Sequence, residues 1–228
     1  MESFEIIFVK IIFPPVIKNY KHIIWDWNGT LFNDTALSLD IINGILVKRN
    51  LKTINLEKYR DIFTFPVKDY YEKTGLDFNK YPFEELGIEW MAEYEKRKYE
   101  AHLHKGAKEV LTFISKKSKQ QSILSAYSQH TLIEIVKYFK IDEYFTHLVG
   151  LDHIYANSKI EIGKKLVNKL NNDKSEIILI GDTIHDYDVA VEMGIDCILI
   201  ANGHQRKEKL KTCGVQVLDT LTDVSRII

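Results

Sequence analysis

The sequence predicts an α/β fold: a doubly wound, mainly parallel sheet with a small α-helical unit inserted into it. Three observations carry this. Short β-branched and aliphatic runs recur at His22 to Trp27, Gln121 to Ser125, Phe145 to Val149, Glu176 to Ile180, Cys197 to Ile200 and Val215 to Leu218, the pattern of strands buried on both faces. Amphipathic stretches of helical period lie between them, at Ala107 to Lys117, Gln129 to Phe139, Ile160 to Leu170 and Asp186 to Met193, so the chain reads as successive βαβ units. The alternation breaks once: from Thr35 to about His104 there are only helical patterns rich in Tyr, Glu and Lys.

In chain order, the apolar segment Phe4 to Phe13 is interrupted by Glu5 and Lys10 and ended by Pro14-Pro15. It is far short of the roughly 20 residues a membrane span needs, and Glu2 and Glu5 stand where a signal peptide carries positive charge. An extra edge strand or an ordered arm is expected there. After the first strand, Pro66 followed by VKDYYEKTG reads as a helix opened by proline and closed by Gly75, and FEELGIEWMAEYEKRKYEAH, Phe83 to His102, reads as a long amphipathic helix. The expected division is an α/β domain of residues 1–34 and 104–228 with a helical domain of residues 35–103 between them. No internal repeat or low-complexity linker is present.

Composition bounds the function. A chain of 228 residues buries about 70% of its unfolded surface, enough for one large core or a core with a small satellite. Glycine (11) and proline (4) are scarce and charges of both signs are interspersed, which excludes collagen-like, low-complexity and disordered classes. The 31 Lys and Arg against 32 Asp and Glu argue against a nucleic-acid partner, which calls for a basic surplus. Two cysteines, Cys197 and Cys213, are too few for a disulfide framework, so a reduced, cytoplasmic setting with no membrane partner is expected. The oligomeric state is not legible.

In an open α/β sheet ligands bind beyond the carboxyl ends of the strands. Strand one ends in Asp26-Trp27-Asn28-Gly29-Thr30, strand two in Ser125-Ala126, and a later strand in Gly181-Asp182-Thr183 with Asp186 four residues on; Lys159 opens a helix. Taken singly, Asn28-Gly29 reads as a hairpin turn, Gly181-Asp182 as a turn and helix cap, Ser125 as a cap and Lys159 as a solvated charge. Their joint order, each at the correct end of a strand, points instead to a site for a divalent cation and a phosphoryl group. Hard oxygen ligands suit magnesium.

These residues resemble the motifs of the haloacid dehalogenase superfamily, in its phosphoglycolate-phosphatase-like branch with a helical cap after the first motif. WDWNGTLFND is similar to the first motif, ILSA to the second, Ser158-Lys159 to the third and GDTIHDYDVAVEMG to the fourth. The resemblance runs from Lys21 to the end. It implies a magnesium-dependent phosphatase acting on a small phosphorylated metabolite, with Asp26 as nucleophile forming an aspartyl-phosphate. Magnesium would be held by Asp26, the Asn28 carbonyl and Asp182, with Asp186 direct or through water. Phosphoryl oxygens would be gripped by Ser125 and by backbone groups around Asn28, Gly29 and Ala126, and their charge neutralised by Lys159.

Asn28 departs from the family, whose phosphatases carry an aspartate there as general acid and base. An amide has no proton to exchange near neutral pH, and that function is typically worth about 10²- to 10⁴-fold. The accounts open at this stage are hydrolysis of esters with a good leaving group, such as acyl phosphates; a proton from another group, with His185 a candidate against a solvent-facing helix start; and a weak or inactive phosphate-ligand binder of the same fold.

Other features admit two readings. His102 and His104 flank the expected return from the helical unit, as a zinc pair or as hinge residues, the latter favoured. His204 reads as a substrate contact or a loop residue. Phe63, Phe65, Tyr70, Tyr71 and Tyr94 read as the small core of the cap, with one or two closing on substrate. Lys68 is the cap cation that could meet an acidic substrate.

Overall fold

A computed structural model describes residues 19–151 and 159–228. The expectation for Phe4 to Phe13 and the Ser158 half of the third motif lie outside the described residues. The elements in order are β1 (His22–Trp25), β2 (Phe32–Asn33), α1 (Thr35–Lys48), α2 (Leu56–Ile62), α3 (Val67–Lys73), α4 (Phe83–Arg97), β3 (His102–Leu103), α5 (Ala107–Lys116), β4 (Gln120–Ser128), α6 (Gln129–Tyr138), β5 (His147–Leu151), α7 (Lys159–Lys169), β6 (Ile177–Gly181), α8 (Ile184–Met193), β7 (Asp196–Ile200), α9 (Lys207–Leu210) and β8 (Gln216–Leu218).

Six strands form one parallel sheet in the order β5-β4-β1-β6-β7-β8. All residues of β1 and β6 are buried, as a central parallel strand covered on both faces requires. Side chains alternate between the faces. Ile23 and Trp25 join one core with α1, α5 and α6, while Ile24 and Leu179 join a second with α7 and α8. From β1 the chain leaves toward β4 and β5, and from β6 toward β7 and β8. The crevice beyond the ends of β1 and β6 is therefore the topological switch point, where open α/β sheets bind ligands.

The long helix ends at Arg97 rather than His102. A 3-10 turn, Lys98–Glu100, follows it, and buried Lys98 bonds Glu95 (3.0 Å) and Glu134 (2.8 Å). A similar turn, Asp142–Tyr144, delays β5 to His147. The stretch without sheet strands is bracketed by an antiparallel pair the periodicity does not reveal: Phe32 opposes Leu103 and Asn33 opposes His102. Two residues per strand are too short to leave an alternation signal. Both connections to the helical segment thus run side by side. Among the described residues no helix is long and apolar enough to cross a membrane.

The centre of the sheet holds one titratable switch. His22 is fully buried, with Nε2 2.8 Å from the Ser122 hydroxyl and Nδ1 3.3 Å from Gln120 Oε1. Burial pushes its pKa down to about 4, a Gln120 hydrogen bond opposing and His147 adding. Its contribution is complete above the unfolded value of about 6.5, because both states are then neutral. As pH falls from there toward 4 the unfolded chain takes up a proton that the folded one refuses, so stability is lost over that window. Urea unfolding at pH 5 should give a free energy about 2 kcal/mol lower than at pH 7 from this group. His22→Gln should shrink that step, and an unchanged step would show that His22 does not titrate on unfolding.

Candidate active site

The turn after β1 builds the first wall. The N–H groups of Thr30, Leu31 and Phe32 all donate to the Trp27 carbonyl (3.3, 3.1 and 2.9 Å), and Gly29 N–H returns to the Phe32 carbonyl at 2.8 Å. Asn28-Gly29 is thus a turn at a strand end, not the hairpin between two sheet strands that the dipeptide suggests alone. Gly29 has φ +79°, and a Cβ on it would stand 2.3 Å from Asp182 Oδ2. Only glycine meets both the left-handed backbone and the close approach.

Asp26 follows β1, Asp182 follows β6, and Asp186 lies one turn into α8; all three are buried, with ligand oxygens within 4.8 Å of one another. The Lys159 ammonium, at the start of α7, is 2.5 Å from both Asp26 Oδ1 and Asp186 Oδ1. Lys159 is 4% exposed, so the solvated-charge reading is excluded. Asp186 Oδ2 accepts from Thr183 Oγ1 (2.7 Å) and from the N–H groups of Thr183 and Asp182 (3.0 and 3.1 Å). These contacts include the capping box of α8, leaving Oδ1 to face the cluster.

Negative charge exceeds positive here. Burial pushes Asp26 well above the usual carboxylate range, Asp186 adding to it and Lys159 opposing. Burial likewise raises Asp182, to about 6, with His204 opposing and Asp186 adding. Burial also works against Asp186, but the charge and hydrogen bond of Lys159 hold it below the usual range. Thr30 Oγ1 sits 3.0 Å from both Asp26 Oδ2 and Asp182 Oδ1. One hydroxyl proton cannot fully serve two carboxylates, so the cluster has room for a proton or a cation.

Ser125 does not end its strand. β4 continues to Ser128, its register against β5 shifting between Leu124 and Ser128. Ser125 Oγ accepts from Tyr127 N–H at 3.0 Å, and Ser128 occupies the N-cap position of α6. Ser125 and Ala126 lie within this irregularity and line the same cavity as the carboxylates. A cavity of about 440 Å³ spans Asp26, Asn28, Ser125, Ala126, Lys159, Asp182 and Asp186. Of the residues expected to act in catalysis, phosphate binding or metal binding, all line it except Gly29, which backs Asp182.

The haloacid dehalogenase-like hydrolase family model matches residues 23–200, well over half of the chain. The chain belongs to this family. No curated protein matches significantly. A haloacid dehalogenase-like family hydrolase from Streptococcus pneumoniae superposes with TM-score 0.77 at 20% identity over 90% of this chain and 97% of its own. A predicted phosphatase from Clostridium acetobutylicum gives 0.77 at 18%, over 91% and 97%. A predicted phosphoglycolate phosphatase from Haemophilus somnus gives 0.71 at 17%, over 92% and 98%. At these identities the likeness is one of fold.

Beside the carboxylates stands a group that sequence reasoning missed. Asp34 is 1% exposed and occupies the N-cap position of α1 without capping it. Its Oδ2 accepts from Asn28 Nδ2 (2.9 Å) and from the Tyr94 hydroxyl (2.7 Å), and its Oδ1 from Gly29 N–H (2.9 Å). Asn28 Nδ2 also donates to the Tyr94 hydroxyl at 2.7 Å. His204 Nε2 is 3.2 Å from Asp34 Oδ1, and its Nδ1 is 2.7 Å from the Tyr59 hydroxyl. Burial disfavours the His204 cation, but the charge and hydrogen bond of Asp34, with Asp182, raise its pKa to about 9. An aspartate before a helix reads as a cap, so its sequence signal pointed elsewhere.

His204 is thus buried and lines the cavity rather than lying in a free loop. His185 also lines it, stacked on Phe65 with ring centroids 4.6 Å apart, and is not a solvent-facing helix start. Phe63, Tyr70, Tyr71 and Tyr94 both pack on the core and face the cavity, and Phe65 faces the cavity against Phe63 and His185. Lys68 does not line the cavity and places its ammonium over the Phe78 ring. Among the described residues the acidic cluster is the one group with metal-ligand spacing, and neither His102 nor His104 belongs to such a group.

Proposed function

We propose that the protein is a magnesium-dependent phosphatase that transfers a phosphoryl group from a small ester to Asp26 and then to water. The observation that carries this reading is the Asp26 carboxylate faced by the Lys159 ammonium and by two further buried carboxylates at the switch point of the sheet. The donor set fits magnesium, since three carboxylates supply hard oxygens and more negative charge than one lysine balances. Asp26, Asp182 and the Asn28 carbonyl would hold the ion, with Asp186 direct or through water. Bound there, it would polarise phosphoryl oxygens as a Lewis acid.

Asp26 attacks phosphorus in line, its Oδ forming a bond as the bond to the leaving oxygen breaks and that oxygen departs with the electron pair. Water then attacks phosphorus and displaces the carboxylate, returning Asp26 and releasing phosphate. Lys159 neutralises charge on the transferring group and orients Asp26. Ser125 and the backbone of Asn28, Gly29 and Ala126 grip its oxygens. Residues 35–103 act as a cap over the sheet domain, closing about residues 33 to 36 and 102 to 106 to exclude water.

Asn28 supports a second reading, a phosphate-ligand binder of low turnover, because its amide has no proton to transfer and is held by Asp34 and Tyr94. Steady-state phosphate release from acetyl phosphate with and without magnesium separates the two. The phosphatase should show repeated, magnesium-dependent turnover on this easily displaced group. Binding of beryllium fluoride and magnesium without turnover would favour the binder.

A further inference from the structure

Above the carboxylate cluster the cavity wall is made of rings and apolar chains: Phe63, Phe65, Phe83, Trp90, Met91 and Tyr127 all face it. Several rings are already ordered in stacks, Phe65 on His185 at 4.6 Å and Trp90 on Tyr94 at 4.7 Å. Cations for an acidic substrate are committed elsewhere. Among the described residues lining the cavity, Lys159 is held between Asp26 and Asp186, His204 lies between Asp34 and Tyr59, and the His185 ring is stacked on Phe65. No lysine or arginine among the described lining residues is left to pair a carboxylate on the leaving group, so burying one against the rings would be unfavourable. A flat apolar group would instead meet aromatic faces in offset or edge contacts. The volume of about 440 Å³ accommodates a phosphate and a ring.

Asn28 fits this class over alkyl esters, as it also fits acyl phosphates. With no proton to give, the site favours leaving groups that depart as stable anions. A phenol loses its proton near pH 10, roughly, whereas an alkanol resembles water, about 15.7.

We propose that the substrate of this site is a phosphate monoester of a phenol, its uncharged aromatic ring held by the wall of Phe65, Phe83, Trp90 and Tyr127. The proposal rests on the phosphatase reading and names its substrate class. Asp26 Oδ bonds to phosphorus as the bond from phosphorus to the aryl oxygen breaks; the phenolate leaves with the electron pair and takes its proton from solvent. Water completes the cycle, giving a phenol and inorganic phosphate.

The test compares kcat/KM for phenyl phosphate, acetyl phosphate and 2-phosphoglycolate with magnesium, together with calorimetric binding of phenyl phosphate and of inorganic phosphate to Asp26→Asn. Phenyl phosphate should exceed both other substrates by at least about tenfold, mainly through KM. Trp90→Ala should raise its KM by about tenfold, more than it raises that for acetyl phosphate. Turnover with acetyl phosphate or 2-phosphoglycolate equal to or above phenyl phosphate overturns the aromatic class and leaves the phosphatase standing. If nothing is turned over but Asp26→Asn binds phenyl phosphate at least about tenfold more tightly than phosphate, the phosphatase reading falls and the aromatic ligand class stands. Neither turnover nor preference sinks both.

Discussion

Asp26→Asn should lower magnesium-dependent phosphate release by roughly 10⁴- to 10⁶-fold, the scale of removing a covalent nucleophile. The amide is close to isosteric with the carboxyl but cannot attack phosphorus. Folding should not suffer. Asp26 is one of two buried carboxylates sharing the Lys159 ammonium, and its burial already disfavours the charge. Removing that charge leaves Lys159 paired with Asp186 at 2.5 Å. Thermal unfolding without added metal should therefore occur at the same or a higher temperature in the variant, while the rise produced by magnesium should diminish. Loss of activity with loss of fold would point to a structural role. Retained turnover would move the nucleophile away from Asp26.

Asn28→Asp should raise turnover of an alkyl phosphate by about 10²- to 10⁴-fold, the usual worth of a general acid and base, and raise that of acetyl phosphate much less. The site resists this change for a reason visible in its hydrogen bonds. The Asn28 amide donates to Asp34 Oδ2 at 2.9 Å, so a carboxyl in its place would stand at hydrogen-bond distance from the buried Asp34 carboxylate. They cannot both ionise, and one would keep a proton well above its ordinary range. The same proton would make the new group a usable acid, at a stability cost of about 1 to 3 kcal/mol for the lost amide bond. Adding Asp34→Asn should restore a donor and acceptor pair and recover most of that stability. Kinetics on esters of graded leaving group, read beside urea unfolding, separate the effects. An equal gain on all esters would show that position 28 does not act as an acid.

Much of the architecture was legible because its signals are local. Buried parallel strands write themselves as continuous apolar runs, as in Ile177 to Ile180, and their covering helices as three-and-four spacing. The clustering of Asp26, Asp182 and Asp186 was legible because in an open sheet a strand end is also a place in space. Lys159 was visible only through its order among these residues, since a lone lysine otherwise reads as a surface charge.

The structure added what depends on neighbours distant in sequence. Asp34 carried the signal of a helix cap, yet its partners include Tyr94 and His204, 60 and 170 residues away by number. Ser125 was found at the right place for an incomplete reason, because the irregularity of β4 depends on its register with β5. Lys68 and His185 exchanged expectations: the cation turned to Phe78 while the histidine stacked on Phe65 and entered the cavity.

By itself the sequence determined the layered α/β sheet, the inserted helical segment and the strand ends that carry the clustered carboxylates, since periodicity and strand order are properties of neighbouring residues. Only the tertiary structure decided that the lysine lies between two carboxylates, that Asn28 is locked to Asp34, and that the cavity above them is walled by aromatic rings. Such contacts join residues far apart along the chain, and their energies depend on burial and distance, which no local pattern encodes.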